Sequence, residues 1–390
     1  MLNKTITMSL LIAVVSVLLA GCNDHAQKKL AAVRRWKTQS AVANLPVAND
    51  MLEKGDTDTA MQLTEKCLAV ENENAQANLI KGKALYAQGK IDEAEDYIHR
   101  AVKYDSKLDE GWFLLGVLAQ QNNEQHWALT YYDKAIAQAP ANTEYIVAIA
   151  EVYASKGQYE KAIAVLEDKS RSMPLNKDLA VAQADLYLRS GNVKVAISIY
   201  KRVMVTNGQS PDVVAALGYC YVMDHQWAMA SEIFEKLIKD ASAQQKETYL
   251  ELLAVISVNN TQYGKAVQYF DELSLSRRED ADLWLKMGQA ALGANAAKRA
   301  LACSKRALML RSGWPDAIAL KGCSQYLTGD YFKSIQTFEK IRGDEKLACF
   351  AWLMTGRSLR KIGEHERAEL AFDKASALDP ENDLVAFVSK

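Results

Sequence analysis

Six cysteines and five histidines are the residues through which this chain could bind a metal or form a covalent intermediate. Their spacing supports little of that chemistry. No two cysteines stand as CxxC or at another close metal-ligand spacing. His25, His99, His126, His225 and His365 fall at unrelated places, so no convergent ligand set is expected. There is no HExxH, no GxSxG and no phosphate-cradling glycine loop, and no nucleophile has an evident base. The expectation is a non-enzymatic chain without cofactor or metal. Cys303 and Cys323 lie on consecutive helices of the pattern described below. An exported protein could bridge them; the other reading is small buried thiols in tight helix contacts, which also suits Cys67, Cys220 and Cys349.

Cys22 stands apart. Lys4 precedes an apolar run from Met8 to Leu19, too short to span a bilayer comfortably and followed by small residues, the pattern of a secretory signal. Leu19-Ala20-Gly21-Cys22 resembles the lipobox of bacterial lipoproteins. That resemblance implies cleavage between Gly21 and Cys22 and acylation of the Cys22 sulfur and new amino group. An ordinary signal peptide with a chance cysteine is the alternative. Each buried CH₂ of an acyl chain contributes about 0.8 kcal/mol, so several chains anchor stably. Asn23 follows the cysteine and Asp24 comes one place later, which favours an outer-membrane, periplasm-facing anchor over inner-membrane retention. From Asn23 to Ser40 the chain carries Lys28, Lys29, Arg34, Arg35 and Lys37 against Asp24 alone, with Trp36 among them. This is either a tether on anionic headgroups with Trp36 at the interface, or a solvated linker running into a helix over the first repeat.

The rest of the chain must position whatever surface does the work, and it is periodic. A 34-residue step begins at Ala41, Ala75, Asp109, Thr143, Lys177 and Pro211, slips by two residues, and resumes at Glu247, Ala281, Pro315 and Cys349. In the copy from Asp109 to Asn142, Trp112, Leu115, Gly116 and Ala119 share one helical face, and Ala128, Tyr132 and Ala135 share another. Pro140 stops the second helix. The small residue of the first helix recurs as Gly82, Gly116, Gly218, Gly288, Gly322 and Gly356, and as alanine in the other copies. That of the second recurs as alanine in every copy except Ser334, and the bulky residue four later is Tyr132, Tyr200, Phe234, Phe270, Phe338 or Phe372. Glycine marks the turn between helices at Gly55, Gly89, Gly157, Gly191, Gly329 and Gly363. The first copy is weakest, with Asn44 and Thr64 where large apolar side chains are expected.

This pattern resembles the tetratricopeptide repeat (TPR), most clearly in the last copy through Trp352, Gly356, Ala368, Phe372, Ala375 and Pro380. The resemblance implies an all-α, right-handed superhelical solenoid of about ten helix-turn-helix units. The domain reading is a signal peptide over 1–21, the lipidated cysteine and basic tether over 22–40, the repeats over 41–382 and a short C-terminal cap over 383–390. In a solenoid each unit contacts only its neighbours, so 390 residues add copies rather than separate cores. A net charge of −1 excludes global basicity for holding nucleic acid. Trp112, Trp284 and Trp352 occupy the first helix's aromatic slot and read as core. Trp127 and Trp227 read as packed in part against a neighbouring unit. Asp178, Asp212, Asp282 and Asp316 read as helix N-caps.

In the family the first helices line a groove that receives peptides or partner helices. Carried onto this sequence, its positions include Tyr86, Phe113, Val117, Glu151, Val181, Asp185, Tyr219, Val222, Val255, Leu285, Tyr326 and Leu353, and the last unit offers Arg357, Arg360 and Lys361 together. The basic and asparagine pairing with which some members clamp a terminal carboxylate is absent. A lipobox followed by a long repeat array resembles accessory lipoproteins of the Flp/Tad pilus and the pilotins of type IV pili, which help place or multimerise a secretin. The implied partners are secretin or pilus-assembly components of the envelope held in the groove, with the membrane held through the anchor. A scaffold for exopolysaccharide synthesis and export is the alternative. The oligomeric state is open.

Overall fold

The computed structural model describes residues 28–380. The signal segment, Cys22 and the expected cap at 383–390 lie outside the described residues. Those described are helical, without a strand among them, and fall into two compact units. The first, up to Ser190, holds α1 (28–42), α2 (Leu45–Glu53), α3 (Thr57–Leu68), α4 (Ala75–Ala87), α5 (Ile91–Tyr104), α6 (Asp109–Gln121), α7 (Gln125–Gln138), α8 (Thr143–Ser155), α9 (Tyr159–Ser172) and α10 (Lys177–Arg189). The second, from Gly191, holds α11 (Val193–Asn207), α12 (Pro211–Met223), α13 (Trp227–Leu237), α14 (Ala243–Asn259), α15 (Tyr263–Ser274), α16 (Ala281–Gly293), α17 (Ala297–Leu310), α18 (Pro315–Leu327), α19 (Tyr331–Glu339), α20 (Ala348–Lys361) and α21 (His365–Leu378). Even-numbered helices from α2 open each repeat and are called A helices; the odd-numbered ones that follow are B helices. Seven A helices begin at the first residue of the 34-residue register, from Ala75 to Pro315.

Each junction has a physical cause. Asn74, Asn142, Asn176 and Asp280 cap A helices, accepting from the backbone N–H of Ala77, Glu144, Leu179 and Leu283; such a cap contributes about 1 kcal/mol. Asp178 and Asp282 therefore sit inside the first turn, not at the cap. Asp212 and Asp316 do the same behind Pro211 and Pro315, and all four favour the positive end of the helix dipole. A-to-B turns reverse through a left-handed residue. Gly89 N–H donates to Tyr86 O at 2.9 Å and Lys90 N–H to Leu85 O at 3.0 Å, the paired bonds of a Schellman stop. Four turns hold the same conformation without glycine, at Asn123, His225, Thr261 and Asn295, with φ between 56° and 65°.

Within a pair, the small A residue lets the B ring lie against the A backbone. A Cβ on Gly322 would sit 2.7 Å from the Phe338 ring, and one on Gly356 2.5 Å from that of Phe372; Tyr132 covers Gly116 in the same way. Gly82 meets the Ile98 side chain in place of a ring, and Gly288 departs further. The aromatic position of its pair is the small, buried Ser304, and Leu320 of the next A helix fills the space instead, 2.5 Å from such a Cβ. The weak first copy closes similarly: Thr64 is fully buried and donates to Met61 O at 2.8 Å, so its hydroxyl is satisfied locally.

The two-residue slip is absorbed inside the second unit. α13 has 11 residues and α14 has 17, and α14 starts four residues ahead of Glu247 behind a capping box of Ser242 and Gln245. The insertion thus lengthens an A helix at its N-terminus rather than breaking the register. Successive A helices touch directly, α2 on α4 and α8 on α10 in the first unit, α16 on α18 and α18 on α20 in the second. No B helix meets the next B helix as closely among the described residues. The A helices therefore form the tighter, inner side of each unit.

Candidate functional site

The inner side is built from equivalent positions on successive A helices. In the first unit these side chains bind each other. Lys83 Nζ donates to Glu110 Oε1 at 2.6 Å and reaches Asn49 Oδ1 at 3.5 Å, linking α4 to α6 and α2. Arg189 Nη1 donates to both carboxylate oxygens of Glu151, at 2.8 and 3.0 Å, linking α10 to α8. Tyr86 Oη accepts from Gln121 Nε2 at 2.6 Å. Phe113 is stacked on Tyr145 with ring centroids 4.8 Å apart and tilted against Tyr132 at 5.6 Å. The Tyr145 hydroxyl donates to Asp109 Oδ2 at 2.9 Å; burial first, then that carboxylate, push its pKa far above the ordinary tyrosine range. Of the groove residues expected here, Tyr86, Phe113 and Glu151 thus form the seam between A helices, and Asp185 is half-buried on α10.

The second unit leaves more of that side open. Tyr219 on α12 is 39% exposed, with its ring edge on Phe234 at 5.2 Å. Val255, at the equivalent position of α14, is 37% exposed, and Gln289 on α16 is exposed. The Arg357 guanidinium lies 5.5 Å from the Tyr326 ring, which meets Tyr331 edge-on. The basic trio of the last unit divides. Arg357 and Lys361 are exposed, whereas Arg360 lies over the Phe372 ring at 4.7 Å and reaches Glu369 at 3.3 Å. Two expected groove residues are instead core: Leu285 and Leu353 are buried against their own pairs.

Between α14, α15 and α16 the inner side opens into a cavity of about 340 Å³. Val255, Val258, Phe270 and Ala290 supply apolar walls, Tyr263 closes one end, and Lys286 and Gln289 provide polar groups. The Tyr263 ring lies on Gly293, where a Cβ would come within 2.6 Å. Lys286 is held 3.5 Å from Glu251, which also accepts from Arg277 at 2.8 Å. The cavity was not legible from the sequence; Gly293 at the end of an A helix, facing Tyr263 of the preceding pair, is the signal that points to it.

The tryptophans expected in the core are half-buried instead. Trp112 and Trp284 each donate an indole N–H to a carbonyl six residues upstream, Ser106 O and Arg278 O, both at 2.9 Å. Trp352 lies under the Arg342 guanidinium at 4.2 Å. The slot latches an A helix to the loop before it, which needs a polar edge near water. Trp127 is 51% exposed and stacked on Tyr131 of its own helix. No disulfide joins the cysteines among the described residues, and burial pushes the Cys303 thiol up to about 11. Among the described residues no three His, Cys, Asp or Glu side chains come together as a metal site.

Profiles of the tetratricopeptide repeat match residues 51–115, 147–214 and 351–382. The chain carries tetratricopeptide repeats. They form a scaffold for protein interaction, and the ten A–B pairs follow the helix-turn-helix order of that repeat. Among solved structures, the C-terminal part of a TPR repeat-containing protein from Cytophaga hutchinsonii is 14% identical, with 63% of this chain and 99% of that chain covered at a TM-score of 0.50. PilF of Pseudomonas aeruginosa is 16% identical over 55% of this chain and 99% of its own, at 0.45. PilW, a type IV pilus biogenesis factor, is 18% identical over 51% and 92%, at 0.46. At such identities the first likeness bears on the TPR fold alone, and the latter two carry no further argument. No curated protein matches the sequence.

Proposed function

We propose that this protein is a lipid-anchored, periplasm-facing scaffold that assists assembly of a pilus or secretion machine. On this reading Cys22 carries the acyl anchor after cleavage behind Gly21, and the array holds an extended segment or helix of an envelope partner such as a secretin. The observation that carries the binding role is the open inner side of the second unit. Tyr219, Val255 and Arg357 hold equivalent positions on three A helices, all exposed, with a cavity beside Val255. Aromatic and arginine side chains of this kind supply most of the energy of protein interfaces, and an A-helix groove suits a helix or strand laid along it. The membrane part of the reading is supported by Leu19-Ala20-Gly21-Cys22 behind its apolar run.

The test is crosslinking from intact envelopes, with the natural chain beside one carrying Tyr219→Ala and Tyr326→Ala. The natural chain is expected to recover a secretin or pilus-assembly component, and the double variant to lose it while still unfolding in one cooperative transition above the temperature of the assay. An unchanged partner set in the variant removes the groove from the reading. Recovery of glycan-export components instead replaces the pilus machine with a polysaccharide one. Radiolabelled palmitate on the natural chain but not on Cys22→Ala tests the anchor separately.

A further inference from the structure

The basic segment ahead of the repeats is a helix, and none of the described residues covers its apolar face. Over α1, Leu30, Val33 and Trp36 recur three residues apart and so form one stripe. They are 58%, 45% and 67% exposed. Lys28, Lys29, Arg34, Arg35 and Lys37 are spread around the same helix, Lys29 and Lys37 each four residues from Val33 and so beside it, and residues 28–42 contain no acid. The whole chain carries −1, and Met1–Gln27 contributes one lysine and one aspartate, so the repeats are net acidic.

We infer that α1 is a membrane-surface helix that lies on anionic phospholipid, with Leu30, Val33 and Trp36 sunk to the acyl boundary and the five cations among the headgroups. Three features single out lipid as the occupant. Trp36 is the side chain that best suits the boundary between headgroup and acyl chain. Lysine and arginine can extend their charged ends to headgroups while their stems cover apolar surface. The charge division favours one orientation: an anionic surface attracts α1 and repels the acidic repeats. The anchor reading deepens this, because five residues lie between Cys22 and the start of α1, a reach of about 20 Å. An acylated Cys22 would keep α1 at the surface, where one acyl group and a basic patch act as two signals.

The experiment uses the chain produced from residue 23, which keeps every described residue and lacks Cys22, so it succeeds or fails apart from the anchor. It is sedimented with vesicles containing phosphatidylglycerol and with vesicles of phosphatidylcholine alone. Binding is expected only to the anionic vesicles and should fall steeply with added salt. Arg34→Glu with Arg35→Glu should weaken it by at least roughly 30-fold, from about 1 kcal/mol per basic residue. Leu30→Ser with Trp36→Ser should weaken it at constant charge, and Tyr219→Ala should not change it. All these side chains are exposed, so thermal melts are expected to match that of the unaltered chain. Failure to sediment with either vesicle overturns the inference, as does charge-reversed protein that binds as well as the unaltered chain. Self-association without lipid that Trp36→Ser abolishes also overturns it, by showing that a second copy covers the stripe.

Discussion

The two units share one repeat and differ in how they use it. In the first, the inner side is closed by its own side chains: Lys83 to Glu110, Arg189 to Glu151, Gln121 to Tyr86 and Phe113 to Tyr145. In the second, equivalent positions carry Tyr219, Val255 and Gln289, and a cavity opens beside them. The second is not wholly free, since Glu251 holds Lys286 and Arg277. The difference teaches that a repeat's interior and its inner side are separable. Small-on-large packing recurs in both units, while the exposed positions are spent on the seam in one and left available in the other.

The largest expected effect checks that the interiors are alike. Tyr132→Ala and Phe338→Ala each delete a fully buried ring and should cost about 3–5 kcal/mol. Hydrogen exchange should show lost protection in α6 and α7 for the first and in α18 and α19 for the second. A tolerated substitution in one unit would break the comparison at its base.

A smaller effect separates the inner sides. Tyr219→Ala with Tyr326→Ala should weaken partner binding about tenfold or more and lower the melt much less than Tyr132→Ala does, since both rings are only partly buried. Glu151→Ala should do the reverse, sparing the partner and costing less than about 1 kcal/mol, because the Arg189 pair is 40% exposed. If Glu151→Ala abolishes the partner instead, the open side has been assigned to the wrong unit.

Alkaline pH sharpens the contrast further. Burial pushes Tyr132 up to about 12, and the hydrogen bond to Glu167 followed by burial pushes Tyr187 there as well. Both lie in the first unit; in the second, Tyr269 reaches about 12 through burial and Glu235. A raised folded pKa means the folded chain holds the proton longer. The contribution is therefore full below pH 10 and is lost as pH climbs towards 12. Melting temperature should fall over that window, and Tyr132→Phe with Tyr187→Phe should flatten more of the fall than Tyr269→Phe.

The smallest effect concerns the turns. Thr261 is β-branched at φ 58°, a conformation that costs L-residues about 1–2 kcal/mol. Thr261→Gly should raise stability by about 1 kcal/mol, less the added freedom of the unfolded chain. Gly89→Thr, which puts that strain into the first unit, should lower it by a similar amount in chemical denaturation.

Much of the fold was legible because one unit's constraints repeat. Gly116 and Tyr132, sixteen residues apart, announce a close helix crossing, and Gly322 with Phe338 announces it again. The turns at His225 and Thr261 were less visible, since the left-handed residue there is not the glycine that marks others. The inner side was legible only in part. Periodicity places Tyr219 and Leu285 alike on A helices, but Leu285, the fifth residue of its copy, turns into the core of its own pair, whereas Tyr219, the ninth, stays exposed. The aromatic slot misled for a related reason: Trp112 and Trp284 have a polar N–H to satisfy, and the loop carbonyl six residues back provides the partner at the edge of the core.

By itself the sequence determined that this protein is built of paired helices, where seven of the ten pairs begin, and that a cysteine follows a short apolar leader. Those features rest on local chemistry: helical period, caps, turns, and small residues opposite large ones. Tertiary structure alone decided which inner side chains are spent on a neighbour and which remain exposed. That outcome depends on how far apart two A helices settle, and side chains distant in the chain set that spacing together.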